Sequence, residues 1–318
     1  GYVTIAIIPG GKAASAISLT VSGTQIDPTA VTADDVVGGV NAQGVETGME
    51  VIRQIYPALN MTPGILLAPG WSENATVAAG LQAKTTGING VFRAVCIVAA
   101  DSSTTGAKMY TGVKQQKEKQ AITSANCYPV WLYAKVGDVV YAGSAMAAAL
   151  TVATDAANGD IPYVSPSNKT LAISAACLKD GTEVLLDQEQ ANVVNSFGVA
   201  TWLNMNGFRL WGNNTACYPG NTDPKDRWFS VRRFMSWDDN AFIQTYFQKV
   251  DDPLNKRLIE ALVDSENVRG NSFVSRGICA RHEIQYIESE NPTTSLLNGC
   301  ITFHKYLSPF NPAEDIEE

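Results

Sequence analysis

The chain has 318 residues, of which 45% are hydrophobic and 17% charged, and 31 acidic against 23 basic side chains give a net charge of −8. Its length predicts two domains. The low charged fraction fits either a subunit that buries its exterior in an assembly or a large α/β core with an uncharged polar exterior. An acidic chain without a dense basic run argues against nucleic acid and anionic membrane as partners, and its apolar runs are too short to span a bilayer.

Residues 1–35 are predicted to be the remnant of a β-rich element. Two runs rich in β-branched residues, Val3–Ile8 and Ile17–Val21, are typical of strands. Because the first of them begins almost at Gly1, no signal peptide is predicted.

Strands and helices alternate over residues 36–200, which predicts βαβ units and a mainly parallel sheet covered on both faces. Apolar spacing predicts a helix over Val45–Tyr56 that ends at Pro57, and Ser72-Glu73-Asn74 can cap the helix that follows the next strand. The other predicted elements of this domain are strands at 64–70, 92–100 and 128–136, and helices at 75–86, 107–124, 144–157 and 187–195.

Residues 201–318 have a different order of predicted elements, with helices first and strands after them. Helices are predicted over Asp238–Val250, with two acids in the first turn, and over Leu254–Ser265 after Pro253. Strands are predicted over Cys279–Glu288 and Gly299–Leu307, and period-2 spacing places His282 and Ile284 on one face of the first.

The cysteines stand singly, most of them beside apolar residues, at positions 96, 127, 177, 217, 279 and 300. No Cys-x-x-Cys pair occurs. The pattern predicts scattered free thiols in a reducing compartment rather than disulfides, and therefore a protein made in the cytoplasm.

Motifs for catalysis are missing from the sequence. A Ser-His-Asp triad needs a histidine at the parallel sheet, whereas both histidines, His282 and His304, lie near the C-terminus, and Gly-x-Ser-x-Gly is absent. The two histidines could hold a metal between the C-terminal strands, but without cysteine support structural histidines are the favoured interpretation. The glycine pairs at 10–11 and 38–39 lack phosphate-loop spacing, and the acid pairs at 34–35 and 251–252 are predicted to be solvated turn or cap residues. The sequence therefore predicts no enzyme, no cofactor and no metal.

The most informative stretch runs from Gly207 to Arg233. Tryptophan and arginine dominate packed interfaces because each presents a large rigid surface with a polar handle. Glycines allow tight turns or close backbone approach, and arginines in apolar surroundings require carboxylate or carbonyl partners. The stretch is either a core motif at a domain junction or a subunit contact, and both can hold together. Its candidate signature residues are Gly207, Arg209, Trp211, Gly212, Asn213, Arg232 and Arg233.

The segment Val199–Asn213 resembles the central motif of the tail sheath proteins of contractile phages and prophages. Further similarities follow downstream at Val231-Arg232-Arg233, Lys249–Pro253, Glu290–Thr294 and Pro312-Ala313-Glu314 with Ile316, and upstream at Pro63-Gly64, Arg93–Asp101 and Ser165–Lys169. The resemblance covers residues 40–318.

The resemblance implies a subtilisin-like α/β domain without the catalytic residues at 36–200 and a smaller α+β domain at 201–318. It implies a structural subunit that stacks as hexameric rings around a tail tube in a high-energy extended state. A baseplate signal triggers contraction, which drives the tube through the host envelope without nucleotide hydrolysis. The implied partners are the subunit itself, the tail tube protein, and baseplate and tail terminator proteins, with no nucleic acid and no membrane. The implied location is the virion tail, after assembly in the host bacterial cytoplasm.

In that family, extended terminal arms add strands to neighbouring subunits, and this sequence is expected to lack both arms. Under that interpretation the chain is monomeric or weakly associated, and the strands at 279–288 and 299–307 form either the receiving sheet or an ordinary hairpin. Lys249, Lys256 and Arg257 are candidate contacts to the tube, although exposed helix charges are usually only solvated. The alternatives are an α/β-type hydrolase and the sheath of a phage-derived injection machine or bacteriocin.

Overall fold

A computed structural model of the chain describes residues 27–317 together with residues 6, 8–18, 20 and 24. The chain divides into two compact units, residues 1–32 and residues 33–318. In the first unit a short 3-10 helix, Pro28–Ala30, begins at Asp27, whose carboxylate accepts a hydrogen bond from the Thr29 N–H. The predicted strands Val3–Ile8 and Ile17–Val21 lie for the most part outside the described residues.

The second unit mixes helices and strands. Its strands are β1 (Gly38–Val40), β2 (Glu46–Gly48), β3 (Ile65–Leu66), β4 (Val95–Ala100), β5 (Cys127–Trp131), β6 (Tyr133–Val136), β7 (Val139–Tyr141), β8 (Ala175–Cys177), β9 (Thr201–Asn204), β10 (Phe208–Trp211), β11 (Cys279–Gln285) and β12 (His304–Pro309). Its helices are α1 (Ala33–Val37), α2 (Ile55–Leu59), α3 (Ala75–Ala83), α4 (Val113–Lys119), α5 (Gly143–Ala157), α6 (Gln188–Ser196), α7 (Pro224–Arg227), α8 (Phe229–Tyr246), α9 (Lys256–Ser275) and α10 (Thr293–Leu297). Further 3-10 turns occupy Met49–Gln54, Tyr110–Gly112, Phe247–Lys249 and Glu288–Glu290.

A parallel sheet in the order β3–β4–β5 lies at the centre of this unit. Every residue of β4 and β5 is buried, as expected of strands that are covered on both faces. Alternate residues of β4 pack into two different cores: Val95 and Ile97 join the cluster with α5 and α6, and Cys96 and Val98 join the cluster with α3. A parallel bridge from Val130 to Ala200 extends the sheet toward β9.

The predicted strand at 128–136 is two strands with a break at Leu132, whose φ of 83° is left-handed although its side chain is buried. This turn ends the parallel sheet and starts a separate antiparallel sheet in the order β7–β6–β8. Gly143 makes the turn possible, because a Cβ at that position would lie 2.0 Å from the Leu132 carbonyl oxygen.

Several predicted helix bounds are wrong. The segment predicted as one helix over Val45–Tyr56 contains β2, a 3-10 turn and then α2, which continues through Pro57 because Pro57 lies in its first turn, where no N–H needs a partner. The polar helix predicted at 107–124 is only the 3-10 turn at Tyr110 and α4. The cap at Asn74, which accepts from the Thr76 and Val77 N–H groups, is confirmed, as is the start of α3.

The largest errors concern α8 and α9. Helix α8 begins at Phe229 rather than Asp238, so the two acids predicted to lie in its first turn lie in its middle. Helix α9 begins after its cap residue Asn255 and continues ten residues past the predicted end at Ser265. Both helices bury faces against the antiparallel pair β11–β12, around a third core that contains Phe234, Phe273 and Ile278.

The prediction of free thiols is confirmed, since all six cysteines are unpaired with one another and those at 96, 127, 177 and 279 are buried. Within the described residues, no helix combines the length and the apolar character that crossing a membrane requires.

Gly270 provides a test of the packing of α9 on β11. Replacing a helical glycine with alanine normally stabilises a helix by about 1 kcal/mol. Here a Cβ would lie 2.4 Å from both the Nδ1 atom and the carbonyl oxygen of His282, so we expect G270A to lower the free energy of unfolding by about 2 kcal/mol. The control N271A changes the adjacent, exposed position of the same helix and should leave stability unchanged or slightly raised. Urea denaturation of both variants measures the difference, and a stabilised G270A would contradict the packing.

Candidate functional site

The first part of the signature stretch is a tight hairpin. Strand β9 pairs with β10 in antiparallel register, with Asn204 opposite Phe208 and Thr201 opposite Trp211. The turn needs left-handed backbone at Asn206 (φ 56°) and Gly207 (φ 104°), and glycine is the residue that adopts the latter without strain. This explains Gly207 as a turn residue.

Gly212 is present for a different reason, which is close approach. A Cβ at Gly212 would lie 2.9 Å from the Ala200 Cα and 2.8 Å from the Asn195 Oδ1 atom. The Gly212 carbonyl accepts a 2.7 Å hydrogen bond from the hydroxyl of Tyr128 in β5, whose ring stacks on Phe229 at 4.1 Å. Gly212 therefore joins the hairpin to the parallel sheet and to the start of α8.

The polar signature residues bind neighbouring loops and helices. Arg209 donates to the carbonyl oxygens of Met205 (3.0 Å) and Asn168 (3.1 Å). The Trp211 indole N–H donates to the Asn192 Oδ1 atom of α6 at 2.8 Å. The Oδ1 atom of Asn213 accepts from the Ser165 hydroxyl at 2.5 Å. These contacts fix the loop 165–169 and α6 around the hairpin.

A buried lysine also binds segments close to the hairpin. Lys117 of α4 donates to the carbonyl oxygens of Phe197 (2.6 Å) and Tyr218 (2.7 Å). Burial lowers the pKa of Lys117 to about 8. Lys117 therefore acts here as a donor to backbone carbonyls rather than as a surface charge.

Arg232 and Arg233 open α8 and attach it to the body of the unit. Arg233 forms a two-point ion pair with Asp155 of α5, at 3.0 Å and 2.5 Å, and the Arg233 side chain is only 8% exposed. Arg232 donates to the Asn126 Oδ1 atom at 2.6 Å and to Asp226 at 3.2 Å. Each arginine thus has the kind of partner that the sequence requires of it.

Farther along α8, Asn240 makes a second attachment. Its side-chain amide accepts from the Arg93 backbone N–H at 2.9 Å and donates to the Arg93 carbonyl at 2.7 Å, as a paired strand would do. The Arg93 guanidinium also pairs with Asp239 at 2.8 Å. Helix α8 is therefore joined at two separate places to the segment that carries the parallel sheet.

A buried charged cluster joins the four C-terminal elements and was missed by the sequence interpretation. The Asp238 carboxylate of α8 accepts from Arg269 of α9 at 2.7 Å, from the Nε2 atom of His282 of β11 at 3.0 Å, and from Lys305 of β12. Glu266 of α9 pairs with Arg269 at 2.5 Å, and the side chains of Asp238, Glu266 and His282 are fully buried. We call these five residues the Asp238 cluster.

The partners of Asp238 favour its ionised form. Burial opposes ionisation of Asp238, but the hydrogen bond from His282 and the charges of Lys305 and Arg269 outweigh it and lower the pKa of Asp238 to about 2. The same carboxylates raise the pKa of Arg269 despite its burial. Arg269 and Lys305 thus supply positive charge to the carboxylates of the cluster, and Lys305 also pairs with Asp239 at 3.0 Å.

Asp238, Glu266 and His282 also bring three metal-ligand types together, with their ligand atoms within 4.8 Å of one another. Arg269 and Lys305 already bind these carboxylates, and both would repel a divalent ion.

The predicted alternative, a metal ion held between His282 and His304, does not fit the positions of the two side chains. In the register of the two strands His282 lies opposite Leu307 and His304 opposite Gln285, and His304 contacts Glu290 at 3.2 Å.

The other candidate charges lie at exposed positions. Asp34 and Asp35 are in the first turn of α1, where acids stabilise a helix. Asp251 adopts a left-handed turn (φ 69°), and Asp252 pairs with Lys249 at 3.3 Å. Lys256 pairs with Glu260 at 3.6 Å within α9.

Comparison with known proteins gives consistent results. No family model matches the chain. Over 298 residues the chain is 29% identical to the tail sheath protein of Burkholderia phage BcepMu, a match that covers 89% of this chain and 60% of that protein. A putative prophage major tail sheath protein of Pseudomonas aeruginosa is 27% identical over 89% of the chain and 71% of its own length, and the tail sheath protein of Escherichia phage P2 is 24% identical over 90% and 70%. The chain is similar to tail sheath proteins of phages and prophages.

The fold agrees with this relationship. A chain in the baseplate structure of the anti-feeding prophage superposes with a TM-score of 0.68 at 15% identity, covering 94% of this chain and 82% of that one. A chain in the sheath complex of an extracellular contractile injection system, in its contracted state, gives 0.67 at 18% identity, covering 86% and 74%. The matched region spans 60% of the length of the phage BcepMu protein.

The attachment of α8 can be tested at Arg233. Removing one partner of a buried ion pair leaves an uncompensated charge, so we expect R233Q to lower the free energy of unfolding by about 3 kcal/mol. The control K256Q breaks the Lys256–Glu260 pair, whose side chains are 88% and 60% exposed, and should have no measurable effect. Chemical denaturation distinguishes the two, and equal stability of R233Q and the parent protein would contradict the proposed attachment.

The Asp238 cluster predicts acid sensitivity. The pKa of Asp238 is about 2 in the folded protein against an ordinary 3.8, so its contribution to stability is complete above pH 4 and is lost as the pH falls from 4 to 2. The shift corresponds to about 2 kcal/mol. We expect the D238N variant to have a flatter stability profile than the parent protein across this pH window. Carbon-13 NMR of the Asp238 carboxyl gives the midpoint directly, and a midpoint at or above the ordinary value would refute the charge assignment.

Proposed function

We propose that the chain is the structural subunit of a contractile tail sheath, which polymerises as stacked hexameric rings around a tail tube and contracts to drive that tube through the host envelope. The observation that carries the proposal is the extent of the similarity. Relatives named as tail sheath proteins match 88–90% of the chain. A shared catalytic or binding module would match only one part.

The proposed subunit is not an enzyme. The Asp238–His282 pair resembles part of a catalytic triad, but both side chains have no exposed surface and the carboxylate is already bound by Arg269 and Lys305. A triad histidine must reach a substrate, so these contacts favour a structural role over the alternative of an α/β-type hydrolase. We also propose that the doubly covered sheet β3–β4–β5 belongs to a subtilisin-like domain without its catalytic residues, followed by an α+β domain from about residue 201.

In this proposal the subunit moves as one body during contraction. Helix α8 carries both the ties to the parallel sheet (Arg233–Asp155 and Asn240–Arg93) and the Asp238 cluster. Ion pairs and amide hydrogen bonds require one particular geometry, so these contacts resist movement of the two halves within a subunit. The movement during contraction therefore takes place at the surfaces between subunits.

The strands β11 and β12 are a candidate receiving surface for a neighbouring subunit. Among the described residues, β11 and β12 pair only with each other, but α9 covers the outer edge of β11, where the Asn267 side chain binds the N–H and the carbonyl of Ile284. The edge that could take an added strand is therefore the outer edge of β12. Every backbone hydrogen bond of such an addition contributes about 0.5–1.5 kcal/mol. Many bonds repeated through a sheath would keep the rings connected during sliding.

The proposed partners are other copies of the chain, a tail tube protein, and baseplate and tail terminator proteins, and the proposed location is the virion tail after assembly in the host cytoplasm. A phage-derived injection machine is the second candidate, because the solved structures with TM-scores of 0.65–0.68 come from such machines. A capsid gene beside the coding sequence would distinguish a phage or prophage from an injection machine.

Polymerisation is the direct test. Protein expressed from its complete coding sequence should form hollow striated tubes in negative-stain electron microscopy. Failure to form tubes, with or without the tube protein, would count against a sheath subunit.

Lys249, Lys256 and Arg257, at the turn between α8 and α9, are the proposed contacts to the tail tube. Changing all three to glutamate should leave self-polymerisation intact while reducing the fraction of tail tubes that are coated. The matched control changes three exposed lysines elsewhere, Lys108, Lys114 and Lys119, to glutamate and so alters the net charge equally. Co-sedimentation with purified tail tubes measures the coating, and equal loss in both triple variants would refute the assignment.

A further inference from the structure

Arg227, which lies between the hairpin and α8, belongs to neither set of contacts described above. Its guanidinium lies over two aromatic rings, 4.4 Å from the Tyr218 ring centre and 4.0 Å from that of Trp228. Its Nε atom donates to the Oδ1 atom of Asn214 at 2.7 Å, and the Asn214 side chain is buried. The rings of Tyr218 and Trp228 and the side chain of Asn214 thus hold the guanidinium in place. None of these three groups accepts a hydrogen bond from its Nη2 atom.

The backbone at Arg227 is fixed as well. Its N–H donates to the Asp223 carbonyl at 2.8 Å, and its carbonyl accepts from the Thr215 N–H at 2.7 Å. An arginine whose backbone and ring contacts are already in place loses little conformational freedom when it binds an anion. The arrangement is a preformed carboxylate-binding socket made of Tyr218, Trp228, Asn214 and Arg227.

Glu314 occupies this socket, since its Oε2 atom accepts a hydrogen bond from the Arg227 Nη2 atom. Within residues 27–317, it is the one residue of segment 311–317 that makes a hydrogen bond to the rest of the chain. The segment forms one wall of a cleft of about 870 Å³, and Trp211, Asn213 and Tyr218 line the other side. A single charged contact therefore holds this segment against the signature stretch.

We propose that the Arg227 socket is a binding site for the acidic segment 311–317 of the same chain and that Glu314 is its ligand. The socket fixes where the segment leaves the body, next to β12, whereas Asp315, Ile316 and Glu317 are exposed. In a sheath, an anchored base of this kind would transmit force from the segment to α8; that role rests on the proposed function, whereas the binding itself does not.

Mobility of the segment in the soluble protein provides the test. Ile316 is 87% exposed, so a nitroxide attached to I316C, in a C300S background that removes the exposed thiol, reports on segment 311–317 without disturbing packing. The C300S variant that keeps Ile316 is labelled in the same way, and its electron paramagnetic resonance spectrum is subtracted to remove the signal from other labelled cysteines. We expect E314Q to raise the ratio of mobile to immobile label about threefold, which is the loss expected for one partly exposed ion pair. R227K keeps the charge but loses the planar contacts, and it should raise the ratio in the same direction.

The matched control is E317Q, which removes the same charge three residues away at an exposed position and should leave the ratio unchanged. Circular dichroism and thermal unfolding should be identical for E314Q, E317Q and the parent protein. Equal ratios in E314Q and E317Q would overturn the proposal. A ratio that changes with protein concentration would also overturn it, because the carboxylate would then come from a second copy. The measurement uses unassembled protein, so its result does not depend on whether the protein forms tubes.

Discussion

The carboxylate of Asp238 is the group on which the C-terminal half of the protein depends. It lies on α8 and meets Arg269 of α9, His282 of β11 and Lys305 of β12, so one buried anion holds four elements together. A buried charge is tolerated only when its partners neutralise it, and removing any one of them leaves the others uncompensated. The absence of a side chain at Gly270 allows His282 to approach α9 closely enough to take part.

Helix α8 extends this constraint to the rest of the unit. Near its start Arg233 binds Asp155, and farther along Asn240 binds the backbone of Arg93, so the same helix belongs to both halves. The signature hairpin lies beside the first of these ties, through Gly212 and Tyr128. The signature residues therefore stabilise the fold of the subunit itself, and the outer edge of β12 and the α8–α9 turn are the surfaces that we propose for partners.

Local signals in the sequence predicted the buried strands β4 and β5 and the cap at Asn74, because each depends on a few adjacent residues. For Gly207 the sequence left a tight turn and a close backbone approach both open. The start of α8 was not predictable in this way. Asp238 and Asp239 resemble cap acids, and only contacts with residues far along the chain show that Asp238 is a buried partner. The i, i+3 spacing of Glu266 and Arg269 was a visible signal, but nothing local joined that pair to His282. The break at Leu132 was also hidden, since a left-handed leucine is stabilised by tertiary packing alone.

We propose that the two halves move together as one body because α8 belongs to both. Cryo-electron microscopy of the assembled protein, before and after contraction, would resolve the contacts of α8 in each state. We expect the Arg233–Asp155 and Asn240–Arg93 contacts and the Asp238 cluster to be the same in both states, with differences confined to contacts between subunits. A change of partners at Arg233 or Asn240 between the two states would contradict it.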